Sequence, residues 1–228
     1  MKTSLKLSVI AITLLLLNCE NKSKTVIDYK FADKETVINC GNPDQAKLLN
    51  EALYSFEDDI TQFYFKQSTN VPAAYNRFFK LAAANRVKFE EIATPHTLEI
   101  FDALKNNTDL LKDNSINYNS EIISCLSENF QYKDLKTTFH ALVSTNSMDA
   151  TLFYPALLPH IRNTKTDRNL GLYVALDFYY KNLKDLDPSQ LGKKEETSNT
   201  AGLPNKALKN APIQKNATDQ KGHEGHNH

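Results

Sequence analysis

The chain has 228 residues with 27 acidic and 27 basic side chains, so its formal charge is zero. That balance lacks the basic patch or stripe by which nucleic-acid-binding domains meet phosphates, and no nucleic-acid partner is expected. Aliphatic and aromatic residues suffice for one ordinary core over residues 40–186.

Met1 to Lys6 carries Lys2 and Lys6 and no acid, and Leu7 to Leu17 is a mostly apolar run softened by Ser8 and Thr13. A membrane-crossing helix needs about 20 apolar residues, so residues 1–18 read as a secretory signal and not as a span. Cys19 stands at the exit of this run, after Leu16-Leu17-Asn18, and the chain is polar from Glu20 onward. The arrangement resembles the lipobox of bacterial lipoproteins. Leu16 matches the apolar residue three before the cysteine, whereas Leu17 and Asn18 depart from the small residues usual there. Over residues 1–19 the resemblance implies cleavage before Cys19 and a diacylglycerol thioether on its sulfur. Each buried methylene contributes about 0.8 kcal/mol, so the two or three acyl chains of a lipoprotein, palmitate-like in length, would hold it on a bilayer. Ordinary secretion, with Cys19 a bystander, is the alternative. No acidic run resembling a surface-export signal follows Cys19, so the resemblance points to the periplasmic face of the outer membrane, with the inner membrane and the outer surface left open. The mature chain, without Lys2 and Lys6, would carry a net charge of −2.

Residues 19–41 read as a lipidated tether and extended arm, because Ile27, Tyr29 and Phe31 alternate with polar residues. Gly41-Asn42-Pro43 breaks this pattern, and Pro43 suits the first turn of a helix. From there the period is helical. Leu49, Leu53, Phe56, Ile60 and Phe63 mark a first helix; Tyr75, Phe78, Phe79 and Ala82 begin a second stripe, which runs on to Phe89 and Ile92. Thr94-Pro95 caps a third helix with Leu98, Phe101 and Leu104 inward. Lys112 to Ser120 reads as a polar loop. Ile122, Leu126 and Phe130 define a short fourth helix, and Asp134 is expected to cap a fifth. Pro155 and Pro159 imply a kinked or broken helix over residues 149–161. Thr166 or Asp167 opens the last helix, and Asp187-Pro188 closes it. The fold class is therefore all-α, a single bundle of six or seven helices over residues 42–187. Residues 188–228 lack large apolar residues at any density and are expected to form a disordered tail.

Cys40 and Cys125 remain once Cys19 is lipidated, and in an oxidising compartment they are expected to pair. Such a bridge closes a loop of 85 residues, worth roughly 4 to 5 kcal/mol by chain entropy as an upper figure. Two separate buried thiols are the rival reading.

His223, His226 and His228 crowd the C-terminus beside Glu224. Flexible imidazoles at this density can close around Zn²⁺, Cu²⁺ or Ni²⁺, with weak and pH-dependent affinity. His96-Thr97-Leu98-Glu99 is similar to the H-x-x-E spacing of imelysin-type periplasmic helical proteins, which are linked to metal uptake. The simpler reading makes Glu99 a stabiliser of a helix start. His140 and His160 each stand alone. Glu57-Asp58-Asp59 reads as a solvated face. Two aromatic triplets, Phe63-Tyr64-Phe65 and Phe178-Tyr179-Tyr180, cannot each turn wholly into one core if the helix is regular. Some of these rings are expected to meet the arm, a ligand or a partner.

No catalytic residue is singled out: there is no nucleophile elbow, no phosphate loop and no paired E-x-x-H. The reading is a lipid-anchored envelope protein that binds or scaffolds an unknown envelope partner through its helical domain. A metal-handling lipoprotein with a His-rich capture tail is the alternative, and a periplasmic enzyme of unknown reaction is a third.

Overall fold

A computed structural model of the chain describes residues 25–66, 69–112 and 115–192. Cys19 and the tail histidines His223, His226 and His228 lie outside the described residues.

The described chain is mainly helical, with eight α-helices and one two-stranded ladder. The longest helix, α1 (Pro43–Tyr64), starts at a capping box. Asn42 Oδ1 accepts from the Gln45 N–H at 3.0 Å, and Gln45 Oε1 accepts from the Asn42 N–H at 3.0 Å. One stripe of α1, Leu49, Ala52, Leu53, Phe56 and Ile60, is fully buried. Its other side is covered too, so Asn50, Glu51, Ser55, Glu57, Asp59 and Thr61 are also buried. The solvated-face reading of Glu57-Asp58-Asp59 therefore holds only for Asp58. The arm and a distant helix close over the side where a lone amphipathic helix would meet water.

Helix α2 (Val71–Ala83) is capped by Asn70, and the single turn α3 (Phe89–Ile92) follows it. Helix α4 (Pro95–Asn107) has Thr94 as its cap, with Thr97 completing the box and Pro95 in the first turn. Helices α2 and α4 flank α1. The expected polar loop contains a small antiparallel ladder, β1 (Leu111–Lys112) against β2 (Ser115–Ile116). Helix α5 (Glu121–Glu128) is capped by Ser120. Helix α6 (Lys133–Ser144) has Tyr132 at its cap, so Asp134 lies inside the first turn and is not the cap.

Helix α7 (Ala150–Leu157) carries Pro155 and runs into a 3-10 segment, Leu158–Asn163, with the second proline, Pro159, in its first turn. The break expected from Pro155 and Pro159 is a change of helix type. Helix α8 (Arg168–Val174) is capped by Asp167 and packs across α1. It continues without interruption as a π turn, Ala175–Tyr179, and a 3-10 turn, Tyr180–Leu183. These changes of pitch let Phe178, Tyr179 and Tyr180 all be buried, which a regular helix would forbid. Phe63, Tyr64 and Phe65 are only half-buried, and the Arg77 guanidinium lies over the Tyr64 ring.

Cys40 and Cys125 form a disulfide with a Cα–Cα distance of 5.7 Å, tying the arm to α5. The arm is extended apart from a turn near residues 30–34, and it buries Ile27 and Ile38. After α8 the chain makes a 3-10 turn at Pro188–Gln190, and the Gly192 N–H donates to Glu90 O at 2.9 Å.

Candidate functional site

Four buried polar groups sit along α1 and α8, and their partners separate structural roles from spare chemistry. The first group holds the arm. Asn50 Oδ1 accepts from the N–H groups of Val37 and Ile38, and its amide donates to Ile38 O and Ala46 O. Glu51 accepts from the Lys30 N–H at 2.7 Å and the Phe31 N–H at 3.0 Å. His96 reaches the same carboxylate, Nε2 to Oε1 at 2.7 Å, and its Nδ1 lies 3.4 Å from Glu99. His96 and Glu99 are thus one turn apart as the sequence requires, but the imidazole is buried and engaged with Glu51. It serves the arm.

The second group joins α1, α4 and α8. Asp59 Oδ2 accepts from Thr97 Oγ1 at 2.5 Å and from the Tyr179 hydroxyl at 2.9 Å. Burial pushes the Asp59 carboxyl up to about 7, although both hydrogen bonds favour its charged form. The third group is Glu57 with Arg168 and Tyr75, described below. Each of these three groups is consumed in holding elements together.

The fourth group differs because it borders an open cleft. Asp177 stands in the π turn and is fully buried. Its Oδ2 accepts from the Tyr173 hydroxyl at 2.8 Å, and its Oδ1 accepts from the Tyr118 hydroxyl at 3.0 Å and from Lys181 Nζ at 2.5 Å. Burial first, then the Asp177 charge, raises both tyrosines above the ordinary phenol range, so both stay hydrogen-bond donors. Beside this group lies a cleft of about 450 Å³ lined by the end of α2, by α3, by the start of α7 and by the π turn. Phe89, Tyr154 and Phe178 form apolar wall, and Asp177 and Lys181 form the charged end. Phe79 stacks on Tyr154 at 4.7 Å and meets Phe178 edge-on at 4.9 Å, which fixes two of the three rings from behind.

The other two histidines among the described residues, His140 and His160, are peripheral. His140 Nε2 lies 3.1 Å from Glu128, and His160 stacks on Tyr132 with its Nε2 3.3 Å from Asp134. Among the described residues no group of three or more His, Cys, Asp or Glu side chains could hold a metal ion. None of the helices in the described residues is long and apolar enough to cross a membrane.

The charged end of the cleft was not anticipated from sequence. Its signal was present: Asp177 is the one charged residue in an otherwise apolar run from Leu172 to Tyr180, and Lys181 follows the run, one turn after Asp177. An acid inside such a run must be buried with partners. No family model matches the chain, and no match is found among curated proteins or solved structures.

Proposed function

We propose that this is a lipid-anchored binding module of the bacterial cell envelope, held through Cys19 on the periplasmic face of the outer membrane and presenting the cleft beside Asp177 as its binding surface. The observation that carries the reading is the placement of the cleft relative to the arm. Thr25, where the described chain begins, bonds to Asn106 and Asn107 at the C-terminal end of α4. The cleft is lined by α3, which ends two residues before the cap at the other end of α4. At 1.5 Å per residue, the 13 residues of α4 separate these two places by roughly 20 Å. An anchor six residues before Thr25 would draw the arm end toward the bilayer and leave the cleft open to the compartment.

Fractionation tests the anchor. The wild-type chain should sediment with membranes and yield a diacylated N-terminal peptide by mass spectrometry, and Cys19→Ala should move the protein to the soluble fraction. An unprocessed N-terminus, or an unchanged distribution of the variant, would defeat the proposal.

The second reading, metal handling, is favoured by one feature, the three histidines within the last six residues. Removal of residues 221–228 should then abolish Zn²⁺, Cu²⁺ or Ni²⁺ binding in a titration. Undiminished stoichiometry would count against a capture tail.

A further inference from the structure

The binding reading leaves the ligand open, and the polar inventory of the cleft narrows it. A volume of about 450 Å³ suits a small organic molecule, since such sites span roughly 300 to 1,000 Å³. The walls are apolar and the two rings backed by Phe79 are positioned without a ligand, so little ordering accompanies binding.

The charged end decides the polarity. Both oxygens of Asp177 are already occupied, by two hydroxyls and an ammonium, which leaves little capacity to accept from a ligand. Lys181 is different. Its ammonium has three N–H donors, of which Asp177 takes one, and its side chain is 22 % exposed. Of the other polar side chains lining the cleft, all uncharged, the Asn182 amide donates to Phe178 O and the Thr151 hydroxyl to Asp149, and Asn85 and the Tyr154 hydroxyl complete the set. The spare charged capacity at this end is therefore the Lys181 ammonium, a cationic donor among neutral amides and hydroxyls. Asp149 also lies within electrostatic reach of Lys181. It is exposed, engaged with Thr151 and screened by water, whereas a ligand in the cleft would touch the ammonium directly. A contact between two charged groups is roughly twice as strong as a neutral hydrogen bond. The π turn supports the assignment: such turns are rare, occur often at functional sites, and here one sets Asp177 and Phe178 into the same cleft.

We infer that the cleft binds a small hydrophobic carboxylate, with its apolar body against Phe89, Tyr154 and Phe178 and its carboxylate on Nζ of Lys181. The inference rests on the binding-module reading but not on the lipid anchor.

The test is calorimetric titration of the purified full chain with three probes of one shape: 3-phenylpropionate, 3-phenylpropanamide and 3-phenylpropylamine. The acid should bind saturably, the amide about tenfold more weakly, and the amine least, since the amide exchanges a charged hydrogen bond for a neutral one and the amine meets a like charge. Lys181→Met should abolish the preference of acid over amide, and Lys181→Arg should retain it. Because Lys181→Met also strips a partner from buried Asp177, Ala83→Trp provides an independent check. It adds bulk at an exposed lining residue and should weaken all three probes without touching the charged pair. Absence of saturable acid binding, equal or tighter binding of the amine, or binding unaffected by Ala83→Trp would overturn the inference. If Cys19→Ala fails to release the chain while the acid preference holds, the anchor falls and the cleft assignment stands.

Discussion

Arg168 grips Glu57 with both arms of its guanidinium, Nη1 at 2.6 Å from Oε1 and Nη2 at 3.0 Å from Oε2, across 111 residues of chain. Tyr75 adds a third hydrogen bond, to Oε1 at 3.1 Å, so one carboxylate joins α1, α2 and α8. Removing one partner of a buried pair strands the other charge. Arg168→Met should therefore destabilise the protein by about 3 kcal/mol in denaturant titration. Glu57→Gln combined with Arg168→Met should recover part of that loss, because no uncompensated charge remains. Additive losses in the double variant would argue that the ion pair is not the cause.

The protonation of Asp59 has a sign that can be checked. Its carboxyl rises from 3.8 to about 7 on folding, with burial as the main cause. Between those values the native state keeps a proton that the unfolded chain has released. Stability should thus fall as pH rises from about 4 to about 7, by up to about 4 kcal/mol from this group, and level off above. Asp59→Asn should remove this slope while still accepting from Thr97 and Tyr179. Thermal unfolding of both proteins between pH 4 and 8 compares the two profiles, and identical slopes would refute the assignment.

Asn50 fastens the arm through three hydrogen bonds, to Val37 N–H, Ile38 N–H and Ile38 O. Asn50→Ala leaves the N–H groups of Val37 and Ile38 and the Ile38 carbonyl without their side-chain partner. A loss of about 2 kcal/mol is expected, since each stranded buried group costs about 1 to 3 kcal/mol and water will reach some of them. Amide exchange at Val37 and Ile38 should accelerate well beyond that of core amides in α1. Reduction of the disulfide should add to this loss, by about 2 to 4 kcal/mol.

At Gly171, α8 comes up against the Tyr75 hydroxyl of α2. A Cβ there would stand 2.9 Å from the Tyr75 hydroxyl and 3.1 Å from the Thr164 carbonyl oxygen. Gly171→Ala should lower the melting temperature despite the better helix propensity of alanine. Tyr75→Phe removes the nearer atom, so the two substitutions together should cost less than the sum of their separate effects. Strict additivity would show that Thr164 is the obstacle.

The helix starts were legible because capping chemistry is local. Asn42-Pro43, Thr94-Pro95 and Asp167 are caps in the structure as their side chains and first-turn prolines suggest. The pairing of Cys40 with Cys125 was legible from their number. What could not be read is anything set by a distant segment. Glu57 and Asp59 look like a wet face until Arg168, Thr97 and Tyr179 arrive from other helices. Tyr132 takes the cap position expected of Asp134, since α6 begins two residues earlier than the side-chain pattern suggests. The burial of three successive aromatics in α8 depends on a π turn, and periodicity arguments assume a constant 3.6-residue pitch. The cleft belongs to this second kind, because its walls come from four separate elements.

The chain enters the described domain at one end of α4 and leaves it, at Gly192, near the other. A pull applied between Thr25 and Gly192 would thus act along α4 and peel the arm from its Thr25 end. Peeling must stop at Cys40, since its bond to Cys125 shields 85 residues of contour, about 300 Å of extension. A force-extension trace should show that length appearing only after chemical reduction, so the covalent staple makes most of α1 to α5 mechanically inextensible.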